Sequence, residues 1–281
     1  MKFIRILMIC LGMFLCFNYQ VFAIDCSELD TNEKIKVFVK NSKESNPLMR
    51  KKLSAKMKIS KVEGKACRSK PSKNWIKKVS TVHSLRMDKN SRTFFIKGKD
   101  APICLVKKDK AEFKCSECTS DNNDQCRSHK SSKSTAIRDT NIDTADLEVL
   151  DDDFHTNVCK NFQKKYMKIT ATKIGGDSPY EKVISFYEQK RGVLLKVNLF
   201  YQGTLAKVYR LSPKKYVKID GEWLSTSTRV RTVCGSEKKY SYETKVEVQK
   251  KANKKHDLYT DPSKDPYLKN TSFNVLFSTA N

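Results

Sequence analysis

From Lys52 to Ser60 the chain alternates strictly. Leu53, Ala55, Met57 and Ile59 fall on one side, and Lys52, Ser54, Lys56 and Lys58 on the other. A period of two is the signature of a half-buried strand. Upstream the period is helical: Asp30-Thr31-Asn32-Glu33 reads as a helix start with Asp30 as N-cap, and Ile35, Phe38 and Val39 share one face. Asn46-Pro47 ends that element, because proline disfavours helical backbone in the residue before it. Further strands are predicted at Trp75–Leu85, Arg92–Lys97 and Ile103–Lys107. Thr119–Ser134, rich in small polar residues, is predicted as a loop.

The second half is predicted to be almost entirely β after one or two helical turns at Thr144–Leu150. Lys182–Glu188 and Leu194–Tyr201 are strands. Gln202-Gly203 turns the chain into a hairpin partner, Ala206–Leu211. Asp220-Gly221 makes a second turn, between Lys215–Ile219 and Trp223–Val233. Tyr240–Val248 places Tyr240, Tyr242, Thr244, Val246 and Val248 on one face. Short strands joined by tight turns predict a large antiparallel sheet that curls toward a barrel or half-barrel.

Two features change the picture. Lys2 and Arg5, the apolar run Ile6–Phe17 and the small-residue step at Val21-Phe22-Ala23 predict a cleaved signal peptide over residues 1–23. Cys10 and Cys16 leave with it. The remaining Cys26, Cys67, Cys104, Cys115, Cys118, Cys126, Cys159 and Cys234 are then expected to form disulfides in an exported chain. About a hundred pairings are open to eight cysteines, and Cys159 with Cys234 is the one expected here. The second feature is charge. At pH 7 the chain carries +25, with lysine spread over nearly every segment, which favours anionic partners or simply solubility.

Candidate chemistry is sparse. Cys115, Cys118, Cys126 and His129 have the ligand types of a zinc knuckle, but export favours a disulfide-stapled loop. His83, His129, His155 and His256 stand beside no nucleophile motif, and Asp151-Asp152-Asp153 reads as a solvated turn. No catalytic residue, metal or cofactor is expected.

Tyr180–Glu188, Lys196–Val208 and Lys218–Thr226 together resemble the C-terminal half of bacterial outer-membrane lipoprotein-sorting proteins, relatives of the periplasmic lipoprotein carrier. The shared features are a Tyr-x-Lys-Val strand, a hairpin at Phe200–Gly203 where the family has aromatic-Tyr-Asp-x-x-Gly, and an Ile-Asp-Gly-x-Trp turn at Ile219–Trp223. The Phe273–Phe277 tail and a short helix at Asp143–Leu147 are also similar to the family's. The resemblance spans residues 139–281. Gln202 stands where the family has Asp, and the cysteine-rich Phe113–Cys126 segment replaces the family's Trp-Leu-Tyr-x-Pro strand.

The resemblance implies a mainly β fold with some helix: a strongly curved antiparallel sheet, an unclosed half-barrel capped by short helices. A single such domain would fill residues 24–281, with a cysteine-rich insertion around 104–134. It also implies a non-enzymatic periplasmic carrier that holds acyl chains of lipoproteins or lipids in an apolar hollow. Leu195, Val197, Leu199, Tyr201, Val246 and Val248 are the expected lining. Implied partners are an inner-membrane transporter and an outer-membrane acceptor, and the charge is compatible with an anionic membrane surface. The alternative is an exported polyanion-binding protein for nucleic acid or lipopolysaccharide; nucleic acid is not the expected partner. With all eight cysteines paired, the exported protein unfolded without reductant should show no free thiol and bind no zinc. Stoichiometric zinc or four reactive thiols would point to the knuckle.

Overall fold

The computed structural model describes residues 24–50, 53–63, 76–87, 92–96, 103–109, 112–118, 127–131, 141–147, 149–150, 154–175, 178–233 and 242–248. Residues 1–23, Cys67, Cys126, Cys234, Asp151–Asp153 and Phe273–Phe277 lie outside them.

The chain opens with helix α1 (Asn32–Lys43), one residue later than Asp30 as N-cap would place it. Thr31 is the N-cap: its hydroxyl accepts from the Lys34 amide at 3.2 Å. Asp30 is instead drawn to the Lys34 ammonium at 2.9 Å. Ile35, Phe38 and Val39 are buried, as their spacing predicts.

The strands follow in order: β1 (Leu53–Glu63), β2 (Ile76–Met87), β3 (Arg92–Ile96), β4 (Ile103–Asp109), β5 (Glu112–Cys118), β6 (Arg127–Ser131), β7 (Phe154–Phe162), β8 (Tyr166–Lys173), β9 (Lys182–Glu188), β10 (Val193–Tyr201), β11 (Thr204–Leu211), β12 (Tyr216–Ile219), β13 (Glu222–Ser225), β14 (Ser227–Thr232) and β15 (Tyr242–Val248). Thirteen of them form one antiparallel sheet in the order β6-β5-β4-β3-β2-β1-β15-β14-β11-β10-β9-β8-β7, and β12-β13 is a separate hairpin. The large sheet has two free edges, β6 and β7, so it is an unclosed half-barrel. The β1–β15 ladder, with Met57 opposite Val248 and Ile59 opposite Val246, joins the early strands to the late ones.

Several expectations are corrected. Arg127–Ser131, inside the predicted loop, pairs with β5 as an edge strand. An edge strand needs no apolar stripe, so alternation does not mark it. Trp223–Val233 is two strands: at Thr226 the chain leaves the β12-β13 hairpin and joins the large sheet, with the Thr226 amide donating to Lys215 O at 2.6 Å. Cys159 is bonded to Cys26, not Cys234, with Cα atoms 5.4 Å apart. Cys26 precedes α1, which packs against β7, so the bridge fastens the helix approach to the strand carrying Cys159. Cys115 and His129 are opposed across β5 and β6.

Across β1, β15, β14, β11, β10, β9 and β8 one face of the sheet is apolar and buried. Leu53, Ala55 and Met57 of β1, Met167 and Ile169 of β8, Tyr187 of β9, Tyr209 of β11, Val230 of β14 and Val246 of β15 are essentially inaccessible. Covering them in the same core cluster are Ile35, Phe38 and Val39 of α1, Leu48 and Met49, Ile142, Val149 and Leu150 on either side of the Thr144–Leu147 turn, and Leu224 of the β12-β13 hairpin. The Phe38 ring meets Tyr187 edge-on at 5.0 Å.

The bridge closes 133 residues of chain. Chain-entropy reasoning assigns such a loop up to about 5 kcal/mol, with 2–4 typical. Replacing Cys26 and Cys159 together by serine should lower stability by that order in a urea titration. A peptide map of the unreduced protein should join the two; a fragment linking Cys159 to Cys234 would overturn the assignment.

Candidate functional site

The inner face of the half-barrel and the cap upon it form the candidate site. The cap carries apolar side chains but is located by polar contacts, which are directional where apolar packing is not. Ser45, just past α1, accepts twice from the elements beside it. Its hydroxyl takes the Leu194 amide at 3.2 Å, and its carbonyl the Ser225 amide at 2.8 Å. Asn46 Oδ1 accepts from the Leu48 amide at 3.1 Å and the Thr228 hydroxyl at 3.4 Å. Arg50 pairs with Glu222 of β13, and the Tyr216 hydroxyl donates to the Leu194 carbonyl. The Asn46 amide nitrogen is buried with no acceptor.

The other side of the cap is held by a buried charge. Asp146, in the Thr144–Leu147 turn, is wholly inaccessible. Its Oδ2 accepts from Lys207 Nζ at 2.9 Å, from the Tyr209 hydroxyl at 2.8 Å and from the Asp143 amide at 2.8 Å; its Oδ1 accepts from the Tyr180 hydroxyl. Asp143 also accepts from Lys207 Nζ. A buried carboxylate costs several kcal/mol unless a cation and further donors compensate it, and here one cation and two phenols do so. Burial, and then the Asp146 charge, push both the Tyr180 and Tyr209 phenols well above their ordinary range. Both therefore stay protonated and donate. The cluster ties the 3-10 turn to β11 and to the approach of β9.

Between α1 and the β12-β13 turn lies a cleft of about 700 Å³ at the rim of the cap, lined among others by Phe38, Ser45, Arg191, Val193 and Trp223. Arg191 lies over the Tyr216 and Trp223 rings at 5.0 and 5.3 Å and pairs with Glu188.

The residues expected to line a hollow are distributed as follows. Val197, Leu199 and Val246 are fully buried on the inner face, and Val248 nearly so. Leu195 is the extra residue of a β-bulge, since Leu194 opposes Tyr187 while Lys196 opposes Phe186. The bulge shifts the phase of β10, so Leu194 shares the buried face with Val197 and Leu199 while Leu195 is half-buried beside the core. Tyr201 ends β10 at the hairpin and is 46% exposed. Sequence reasoning missed Asp146 as a buried ion; its partner lies 61 residues away, and the only local hint was the short helix at Asp143–Leu147. No group of three or more potential metal ligands occurs among the described residues.

No protein-family model matches the chain, and comparison with curated proteins finds no match. Solved structures do match. An outer membrane lipoprotein-sorting protein domain from Vibrio parahaemolyticus superposes with a TM-score of 0.51 at 14% identity, over 80% of this chain and 90% of that one. The chain has the lipoprotein-sorting fold. A LolA superfamily protein from Nitrosomonas europaea gives a TM-score of 0.52 at 13% identity, over 76% of this chain and 91% of that one. A DUF1329 family protein from Desulfovibrio piger gives 0.53 at 16%, over 76% and 88%. At such identities the likeness is one of fold. The sorting fold is the one that the Tyr180–Thr226 motifs suggested, and among the described residues the inner face is buried beneath the cap.

Lys207→Met should leave Asp146 buried without its cation and cost about 3–5 kcal/mol in urea unfolding. Adding Asp146→Asn removes the stranded charge while keeping one of the two acceptor oxygens that the phenols use, so the double variant should be more stable than the single one. A Lys207→Met protein with an unchanged midpoint would show that the cluster does not hold the cap.

Proposed function

We propose that this is a non-enzymatic extracytoplasmic carrier that takes an acyl chain of a lipid or lipid-modified protein between the inner face and the cap. The observation that carries the reading is the division of labour at that boundary. The sheet side is apolar, with Val197, Leu199, Val246 and Val248 at its middle, whereas the cap is fastened through a few polar contacts at its margins. An acyl chain needs an apolar lining and few polar groups. Exchanging cap side chains such as Leu48 and Met49 for a lipid tail conserves apolar burial, so the cost of opening is confined to the marginal contacts. Leu195 and Tyr201 then stand at the rim. The unused Asn46 amide can donate to an ester or amide carbonyl at the head of the chain. The fold of the lipoprotein-sorting relatives supports the same class of cargo and a place outside the cytoplasm. A transporter that loads the carrier and an acceptor that empties it follow as partners.

The test is binding of a fluorescent long-chain fatty acid to the exported protein. One equivalent should bind, and it should be displaced by lipid extracted from envelopes. Val197→Phe fills the inner face at a folding cost of about 1–3 kcal/mol and should weaken binding at least tenfold in a protein that still melts cooperatively. Ser45→Ala removes the hydroxyl that takes the Leu194 amide and should speed uptake severalfold. A wild type that binds no probe, or a folded Val197→Phe that binds it as before, would sink the carrier reading.

A further inference from the structure

The outer face of the same strands has an unusual arrangement of charge. Lys160 of β7 lies directly opposite Lys168 of β8, and Lys168 opposite Phe186 of β9. Phe186 faces Lys196 of β10, Lys196 faces Arg210 of β11, Arg210 faces Arg229 of β14, and Arg229 faces Lys245 of β15. The result is a line of cations across seven neighbouring strands with one aromatic ring in it. At about 4.8 Å between strands the line is roughly 30 Å long. Four of these cross-strand pairs are like-charged, an arrangement that destabilises a sheet when nothing compensates it. Only the last two positions have acidic neighbours: Arg229 lies 3.9 Å from Glu243, and Lys245 lies 2.6 Å from Glu247. Lys160, Lys168, Lys196 and Arg210 have no carboxylate within ion-pair distance among the described residues. Burial, and then Arg210, hold the Lys196 ammonium below its ordinary pKa.

Apolar side chains share this face. Val158 and Phe162 flank Lys160 on β7 with 47% and 42% of their surface exposed. The aromatic rings are already occupied: Phe186 has Lys196 over it at 5.3 Å and Phe162 against it at 5.7 Å, and Phe200 has Lys182 over it at 5.2 Å.

We propose that this outer face docks the protein on an anionic lipid bilayer, with Lys160, Lys168, Lys196 and Arg210 against phosphate-bearing head groups and Val158 and Phe162 in the interfacial layer. A two-dimensional array of head groups neutralises such a row of cations at many points, while exposed apolar side chains beside lysines suit the boundary between head groups and acyl chains. A single-stranded nucleic acid would need open ring faces on which bases stack, and the Phe186 and Phe200 rings already carry Lys196 and Lys182. The surface stands whether or not the inner face takes an acyl chain, since the two lie on opposite sides of the sheet.

Flotation of the exported protein with vesicles of phosphatidylcholine, alone or with one-third phosphatidylglycerol, tests it. Binding should require the anionic lipid and weaken as salt is raised. Each basic residue at a membrane surface contributes about fivefold in affinity, so Lys168→Glu/Lys196→Glu/Arg210→Glu should lose roughly a hundredfold or more. Its thermal midpoint should stay close to that of the wild type: the Lys160–Lys168 and Arg210–Arg229 repulsions become attractions, while Lys196–Arg210 exchanges one like-charge pair for another. Should that variant fold poorly, Lys168→Gln/Lys196→Gln should lose about twenty-five-fold. Lys214→Glu/Lys215→Glu/Lys218→Glu changes net charge equally on the exposed hairpin side and should retain most binding. Equal loss from the two triple variants would overturn the proposal by reducing it to net charge. Tighter binding of a single-stranded oligonucleotide than of anionic vesicles, abolished by the same outer-face substitutions, would overturn the choice of lipid. Uptake of the fluorescent fatty acid should be the same in the outer-face variant and the wild type, which separates failure here from failure of the carrier reading.

Discussion

The ladder between β1 and β15 is the contact on which the architecture depends. Without it the sheet falls into two separate stretches, β6 to β1 and β15 to β7, each with an inner face of its own. Pairing Met57 with Val248 and Ile59 with Val246 makes the two faces continuous. A sheet of thirteen strands twists and curls, and with free edges at β6 and β7 it does not seal itself as a closed barrel does. Its inner face must therefore be covered by something other than its own strands. The cap is the consequence, assembled from whatever the connections supply: the α1 approach, residues 46–50, a 3-10 turn and a small hairpin.

A cap built from connections lacks the ladder of backbone bonds that fixes a strand, so its position is set side chain by side chain. Ser45 and Asn46 do this on one side and the Asp146 cluster on the other. The two sides differ in physical character. Neutral hydrogen bonds at Ser45 and Asn46 contribute roughly 1 kcal/mol each, whereas separating Asp146 from Lys207 would strand a buried charge. Any opening should thus hinge on the Asp146 side and begin beside Ser45, where the 700 Å³ cleft lies.

What the sequence revealed follows from how local each signal is. β9 was legible to the residue, and β1, β10, β11 and β15 nearly so, because alternation and the Gln202-Gly203 and Asp220-Gly221 turns are written in adjacent positions. Both of those turns place a non-glycine residue and then a glycine at positive φ. β7 and β8 went unread. They are joined through Gln163 and Lys164, both at positive φ without glycine, and β7 is an edge strand whose outer face mixes Val158, Lys160 and Phe162. The bulge at Leu195 was invisible because three apolar residues run together there, so nothing marks where the phase changes. The Cys26–Cys159 bridge and the Asp146–Lys207 pair join positions far apart in sequence, which composition and spacing do not encode.

Because side chains alternate, the inner and outer faces are not independent designs. Along β10, Val197 and Leu199 can be buried only if Lys196, Asn198 and Phe200 face out. Along β9 the same holds for Val183 and Tyr187 against Lys182 and Phe186. A slip of one residue would carry Lys196 into the apolar core and expose Val197, so register is held by the cost of burying a charge as well as by the gain from burying a valine. The cationic outer row thus acts on the fold itself. It costs stability in the free protein through like-charge neighbours, yet it forbids the alternative register. Drawing two faces from one strand also ties any lipid surface outside to the apolar interior within a single sheet thickness, and makes the bulge at Leu195 the place where that tie is broken. There three successive apolar residues, Val193 to Leu195, stand together, the first of them lining the cleft beside Phe38 and Ser45.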